Sequence, residues 1–216
     1  MKAIICGTKR ESIGRYIADE LVQANWEMWL YSRSVARHDD GQLHFRTADV
    51  AKVLDVKQLL DETGPLDLVV LSADAGGVFG ELSTLNPGHV QNFLNAKILG
   101  SVNIVQEIIR RGHYTKLVFL CGKNGVKDKD YLLYAVVNAA LCSLVNNVNV
   151  HYGDTLQAYY LETPPIANSS IAHEHRERLG KDIPMFPMSV LLYPLLKIID
   201  GSILPGFVPF AGGPVQ

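Results

Sequence analysis

The chain has 216 residues, 48% apolar and 19% charged, with a formal net charge of -2. Those values describe one globular domain with a sizeable core and exclude the basic field that nucleic acid or an anionic membrane surface requires, so no nucleic-acid or membrane partner is expected. The start MKAIICGT is too short in apolar residues for a signal-peptide core and no run reaches 18 of them, which predicts a cytoplasmic protein.

The first predicted strand, KAIIC (2–6), breaks at Gly7 into a short basic loop. A helix over 12–24 follows, with Ile13, Ile17, Leu21 and Ala24 on one face. Gly7 lets the chain turn and lets a ligand approach bare backbone. The helix beginning at Ser12, Ile13 and Gly14 directs free N–H groups and a partial positive charge at an anion. In outline this is a nucleotide-phosphate cradle, although the Gly7 to Gly14 spacing is not G-x-G-x-x-G.

Further strands are predicted at 26–32 (WEMWLYS), 42–48 (QLHFRTA), 66–73 (LDLVVLSA), 116–121 (KLVFLC), 156–162 (LQAYYLE) and 203–209 (ILPGFVP). Helical stripes lie at 50–62, 88–111, 131–150 and 188–200. LDLVVLSA and KLVFLC are nearly continuous apolar runs, which suit strands buried on both faces of a parallel sheet flanked by helices. The reading is a single doubly wound α/β domain over residues 1–216. The Pro-rich, polar stretch at about 162–187 is read as a lid over the ligand edge.

The order of these signals resembles the short-chain dehydrogenase/reductase superfamily over nearly the whole chain. The segments that carry it are the glycine loop, Tyr31-Ser32-Arg33 after the second strand, Asp49-Val50, Ser72-Ala73-Asp74-Ala75-Gly76, Tyr134 opening an apolar helix, and Pro164-Pro165. The resemblance implies a Rossmann-type three-layer sandwich and a nicotinamide dinucleotide. Asp49 and Val50 would hold its adenine, Ala75-Gly76 would lie beside its ribose, and Pro165 would also contact the cofactor.

Charge argues for NADP(H) over NAD(H). Arg33 stands where an NAD-binding protein would more often offer a carboxylate to the ribose 2′-hydroxyl, and a guanidinium suits a 2′-phosphate. Lys9 and Arg10 add positive charge nearby; read locally, all three are solvated loop cations.

For catalysis the family uses a Tyr, a Lys four residues later, a Ser about thirteen before the Tyr, and an Asn on the preceding helix. This chain keeps the Tyr, as Tyr134. Asn138 stands for the Lys, Cys121 or Gly122 for the Ser, and Lys97 for the Asn, with Asn95 close by. In one reading Lys and Asn have exchanged helices: Lys97 stabilises the Tyr134 phenolate, and Asn138 keeps the ribose hydrogen bond. The protein then reduces or oxidises a small carbonyl or hydroxyl compound. The alternatives are a nucleotide-binding or interaction protein without hydride transfer, and a non-redox enzyme using Tyr134 as acid or base.

Other residues read as structural. Cys6, Cys121 and Cys142 fit neither a disulfide framework nor a zinc pattern. His173 and His175 point to different sides of a helix with no third ligand, so no metal is expected. Lys123 reads as a solvated loop cation, and Arg176 and Arg178 as a solvated face or as binders of a substrate anion. Tyr159, Tyr160, Phe186 and Tyr193 read as packing aromatics. The helices at 88–111 and 131–150 are apolar around much of their circumference, which predicts a homodimer or homotetramer built on them.

Overall fold

In the computed structural model, which describes residues 1–8, 12–73, 78–122, 128–167, 169, 177, 180 and 185–210, the described strands form one sheet. They are β1 (Lys2–Cys6), β2 (Glu27–Ser32), β3 (His38–Asp40), β4 (Leu43–Thr47), β5 (Leu68–Leu71), β6 (Thr115–Cys121), β7 (Leu156–Glu162) and β8 (Gly206–Val208), in the order β3-β4-β2-β1-β5-β6-β7-β8. Every pairing is parallel except β3 with β4.

The described helices are α1 (Ile13–Gln23), α2 (Val53–Thr63), α3 (Pro87–Leu94), α4 (Gly100–Arg111), α5 (Leu132–Tyr152) and α6 (Leu192–Ile199). A π-helical turn, Asn95–Leu99, joins α3 to α4. Alternation along each strand splits the core into two layers. Ile5, Leu30 and Val70 face α1 and α6, whereas Ile4, Val69 and Phe119 face α2, α4 and α5. The doubly wound parallel sheet between helical layers is as the sequence predicts.

The chain moves outward from β1 through β2 to β4 and then returns to β5 on the other side of β1. The carboxyl ends of β1 and β5 therefore flank the point where strand order reverses, where open α/β sheets bind ligands.

Strict strand–helix alternation fails between β2 and β4. No helix fills that crossover; β3 returns antiparallel to β4, turning at Gly41 with φ +59°. Arg46 fixes the return. Its guanidinium, buried on β4, pairs with Asp39 at 2.7 Å and Glu62 of α2 at 2.8 Å and lies 4.7 Å from the Trp29 ring centroid.

Lys129–Tyr152, α5 with the turn before it, is by length and composition apolar enough to cross a membrane. Its inward stripe of Val137, Leu141, Val145 and Val148 packs in the core, whereas Leu132, Val136 and Val150 are exposed.

Candidate functional site

The site begins at the end of β1. Gly7 has φ +96°, and a Cβ there would lie 2.6 Å from the backbone N and Cα of Ala73. The first crossover loop thus touches the chain leaving β5 directly, and no L-residue with a side chain fits. Ser72 ties the two loops: its hydroxyl donates to the Cys6 carbonyl at 2.9 Å and the Gly7 carbonyl at 3.3 Å. A Cβ at Gly14 would meet the Ser72 Oγ at 2.7 Å and the Ile5 Cγ2 at 2.9 Å, so α1 sits equally close. Ser12 caps α1 by accepting from the Arg15 N–H at 3.2 Å, and Ile13 packs beside it. Lys9 and Arg10 lie outside the described residues, as do Ala75, Gly76, Lys123, His173, His175, Arg176, Arg178 and most of the 162–187 stretch.

Arg33 follows β2, exposed, with no hydrogen bond or ion pair among the described residues. Val50 lies on the other flank. A Cβ at Gly100 would come 2.4 Å from Val50 Cγ2, so α4 approaches this loop through a glycine. The buried Asn103 amide donates to the Val50 carbonyl at 2.9 Å, and Asp49 accepts the Ala51 N–H at 3.1 Å. The loop is thereby tied to α4.

The π turn carries Lys97, which is 6% exposed. Its carbonyl is taken by the Ser101 hydroxyl at 2.5 Å, one of the side-chain partners that a widened turn calls for. Lys97 lines a narrow crevice with Val50, Ala73, Gly100 and Cys121, so it reaches the space between the Val50 loop and β6.

At the end of β6 the two positions that the sequence offers for the serine separate. Cys121 turns into the core, 2% exposed. Gly122 faces Tyr134: a Cβ there would lie 2.7 Å from the Tyr134 Cε1 and 3.2 Å from its hydroxyl oxygen. Tyr134, in the first turn of α5 and half-buried, also packs against Phe79 and Phe93 with centroids 5.6 and 5.8 Å away. Phe93 stands one turn before Lys97, so the π turn and Tyr134 share a wall. Asn138 is 1% exposed and turned inward; its Nδ2 donates to the Gly122 carbonyl at 3.2 Å, and its Oδ1 is buried without a partner. Tyr160 of β7 donates to the same carbonyl at 2.8 Å, and burial pushes its phenol pKa upward.

The two described ends of the 162–187 stretch meet. Phe186 N–H donates to the Pro165 carbonyl and Ala167 N–H to the Phe186 carbonyl, both at 2.8 Å, and Ile166 and Phe186 pack near Ile13 at the start of α1. Pro165 therefore stands on the cradle side of the sheet.

Sequence reasoning gave no role to the Ser72 hydroxyl or to the close approach at Gly100, did not pair Gly122 with Tyr134, and read Tyr160 as packing. Only Gly100 carried a local signal, a glycine inside an apolar helix. Among the described residues there is no cluster of three His, Cys, Asp or Glu able to hold a metal.

A mostly parallel sheet with two close-packed glycines at its switch point and a tyrosine-bearing helix after β6 defines a Rossmann-type α/β fold. No family model matches the sequence, and a search of curated proteins gives no match. Solved structures do match. A short-chain dehydrogenase family protein from Francisella tularensis superposes with a TM-score of 0.81 at 12% identity, over 96% of each chain. ElxO with NADP bound gives 0.80 at 14%, over 96% of this chain and 95% of that one. The 3-ketoacyl-(acyl-carrier-protein) reductase from Brucella melitensis, complexed with NADH, gives 0.79 at 15%, over 95% and 94%. The fold is that of the short-chain dehydrogenase/reductase proteins.

Proposed function

We propose that the chain binds a nicotinamide dinucleotide along the carboxyl ends of β1, β2, β4 and β5, and that it acts as an oxidoreductase on a small carbonyl or hydroxyl compound. The observation that carries the reading is the pair Gly7 and Gly14. Both sit where a Cβ would collide with neighbours, so the exit of β1 and the start of α1 pack closely against the chain leaving β5, at the switch point where open α/β sheets bind ligands and where a helix N-terminus suits a pyrophosphate. Two of the matched structures, with NADP and with NADH bound, support a ligand of this class on this fold.

The residues present fit such a group. Gly7, Ser12, Ile13 and Gly14 would hold the phosphates, Asp49 and Val50 the adenine, and Arg33 the ribose end. When bound, the cofactor supplies the two-electron chemistry that no side chain here offers. Tyr134 supplies the acid–base group beside it, at the mouth of an apolar wall formed by Phe79 and Phe93 that limits water around the phenol. Lys97, on the crevice between the Val50 loop and β6, adds a cation to this end of the sheet. The exposed apolar positions Leu132 and Val136 of α5 and Leu99 of the π turn support pairing with a second copy.

NADPH should bind more tightly than NADH, because Arg33 is exposed at the end of β2 and pairs with no carboxylate among the described residues. Arg33→Ala should cost about 1–3 kcal/mol of NADPH affinity and little of NADH affinity. Calorimetry decides it: equal affinities, or no binding of either at millimolar concentration, would reject the reading. A second reading, nucleotide binding without redox chemistry, is favoured by one observation, the glycine in place of a hydroxyl beside Tyr134. A carbonyl and alcohol screen on the NADPH-bound protein separates the two.

A further inference from the structure

The Tyr134 phenol rests on a peptide held from two sides. Gly122 gives the ring its seat, since the 2.7 Å between a Cβ there and Tyr134 Cε1 is closer than any real contact. The Gly122 carbonyl then receives two donors. The Tyr160 hydroxyl comes from β7 at 2.8 Å, and the Asn138 Nδ2 from α5 at 3.2 Å. Asn138 lies four residues after Tyr134, on the same helical face, so this bond ties the tyrosine's own helix to the peptide beneath its ring.

The Asn138 bond is made at a cost that the fold tolerates. A carbonyl accepts only from the nitrogen of the amide, which fixes the side chain's orientation and leaves Oδ1 buried with no hydrogen-bond partner. A leucine would fill that volume with no orphaned acceptor, so packing alone does not call for an asparagine. Tyr160 is constrained in the same sense. It is fully buried in β7, and its phenol stays protonated and so remains a donor to Gly122.

We infer that Gly122, Asn138 and Tyr160 together are positioning residues for Tyr134. The absent side chain of Gly122 forms the seat, and the two hydrogen bonds hold the peptide that carries it in register with α5. The inference rests on Tyr134 as the acid–base group of the proposed function, but it concerns the protein without any ligand. It predicts that a side chain at 122 displaces the phenol. It also predicts that removing either donor loosens the phenol without touching it.

The test uses full-length protein labelled with 13Cζ-tyrosine, with the Tyr134 resonance assigned by its loss in Tyr134→Phe. Tyr160→Phe and Asn138→Leu should each shift that resonance beyond its linewidth and change the pH at which it titrates, with the far-ultraviolet circular dichroism unchanged. Tyr159→Phe is the control. Its hydroxyl bonds Gln157 and its ring faces the opposite core layer, so the Tyr134 signal should not move. Gly122→Ala should shift the signal further; if that variant does not fold, Tyr160→Phe decides. A lowered melting temperature with an unmoved Tyr134 resonance in both donor variants would show a structural role only and overturn the inference. NADPH titration of the unmutated protein is scored separately, so failure of the cofactor reading and failure of this inference give different results.

Discussion

Gly7 and Gly122 each follow a central strand, and neither has room for a Cβ, yet what would meet it differs. At Gly7 the obstacle is backbone, the Ala73 and Ser72 peptides at 2.6–2.8 Å, and the residue also needs φ +96°. At Gly122 it is one movable side chain, the Tyr134 ring. Backbone obstacles are shared by everything hydrogen-bonded to them, whereas a ring can rotate or shift. The cradle end of the ligand edge is therefore a rigid part of the sheet, and the tyrosine end is adjustable by single side chains. The two ends can therefore change independently of each other.

The most severe way to break that contrast is Gly7→Ala. Left-handed strain and backbone overlap add, so the loss should reach about 3 kcal/mol or more in urea unfolding, with loss of NADPH binding. A variant as stable as the parent would show that the cradle is adjustable too. Gly100→Ala should cost about 1–3 kcal/mol, because Val50 is β-branched and has few rotamers into which it can retreat from a contact at 2.4 Å. If its melting temperature is unchanged, the Val50 loop belongs with the movable end. Ser12→Ala should cost about 1 kcal/mol through loss of the α1 cap. Equilibrium unfolding measures it, and a loss above about 2 kcal/mol would mean that Ser12 does more than cap.

The smallest effect concerns pH at the far edge. Hydrogen bonds from Arg46, then from His44, lower the Asp39 carboxyl to about 2 in the folded chain, below its unfolded value of about 3.9. A depressed carboxyl stabilises above the unfolded value, and that contribution is lost as pH falls through about 2. Asp39→Asn should therefore flatten the acid limb of stability slightly, since the group is exposed. Identical melting profiles for parent and variant from pH 4 down to 2 would remove Asp39 from the account.

What the sequence made legible follows from how local each signal is. KAIIC and LQAYYLE match β1 and β7 residue for residue, because each is an apolar run of strand length with clear ends. β3 was not foreseen: His38-Asp39-Asp40 has no apolar residue, so no period of two exists to detect. The stripe over 88–111 read as one helix, and it is three segments, since a π turn shifts the face without interrupting apolar residues. In the site, Gly7 and Gly14 were legible from the order strand, glycine, helix. The choice between Cys121 and Gly122 was not, because it depends on how β6 ends relative to α5 in space. Tyr160 read as a packing aromatic; its hydroxyl meets Gly122 through the β6–β7 register that places Phe119 beside Tyr160.

The short strand β3 bears on how crowded solutions of this protein behave. A sheet edge exposes unpaired peptide groups that can recruit a second chain into a growing ribbon. Here one edge offers three residues, two of them aspartates, and the other, β8, offers three that begin at Gly206 with φ +131°. A chain docking on β3 would set its own carboxylates against Asp39 and Asp40, and one docking on β8 would find a kinked, brief ladder. Among the described strands, then, both edges of the sheet are short and poor templates for adding a further strand.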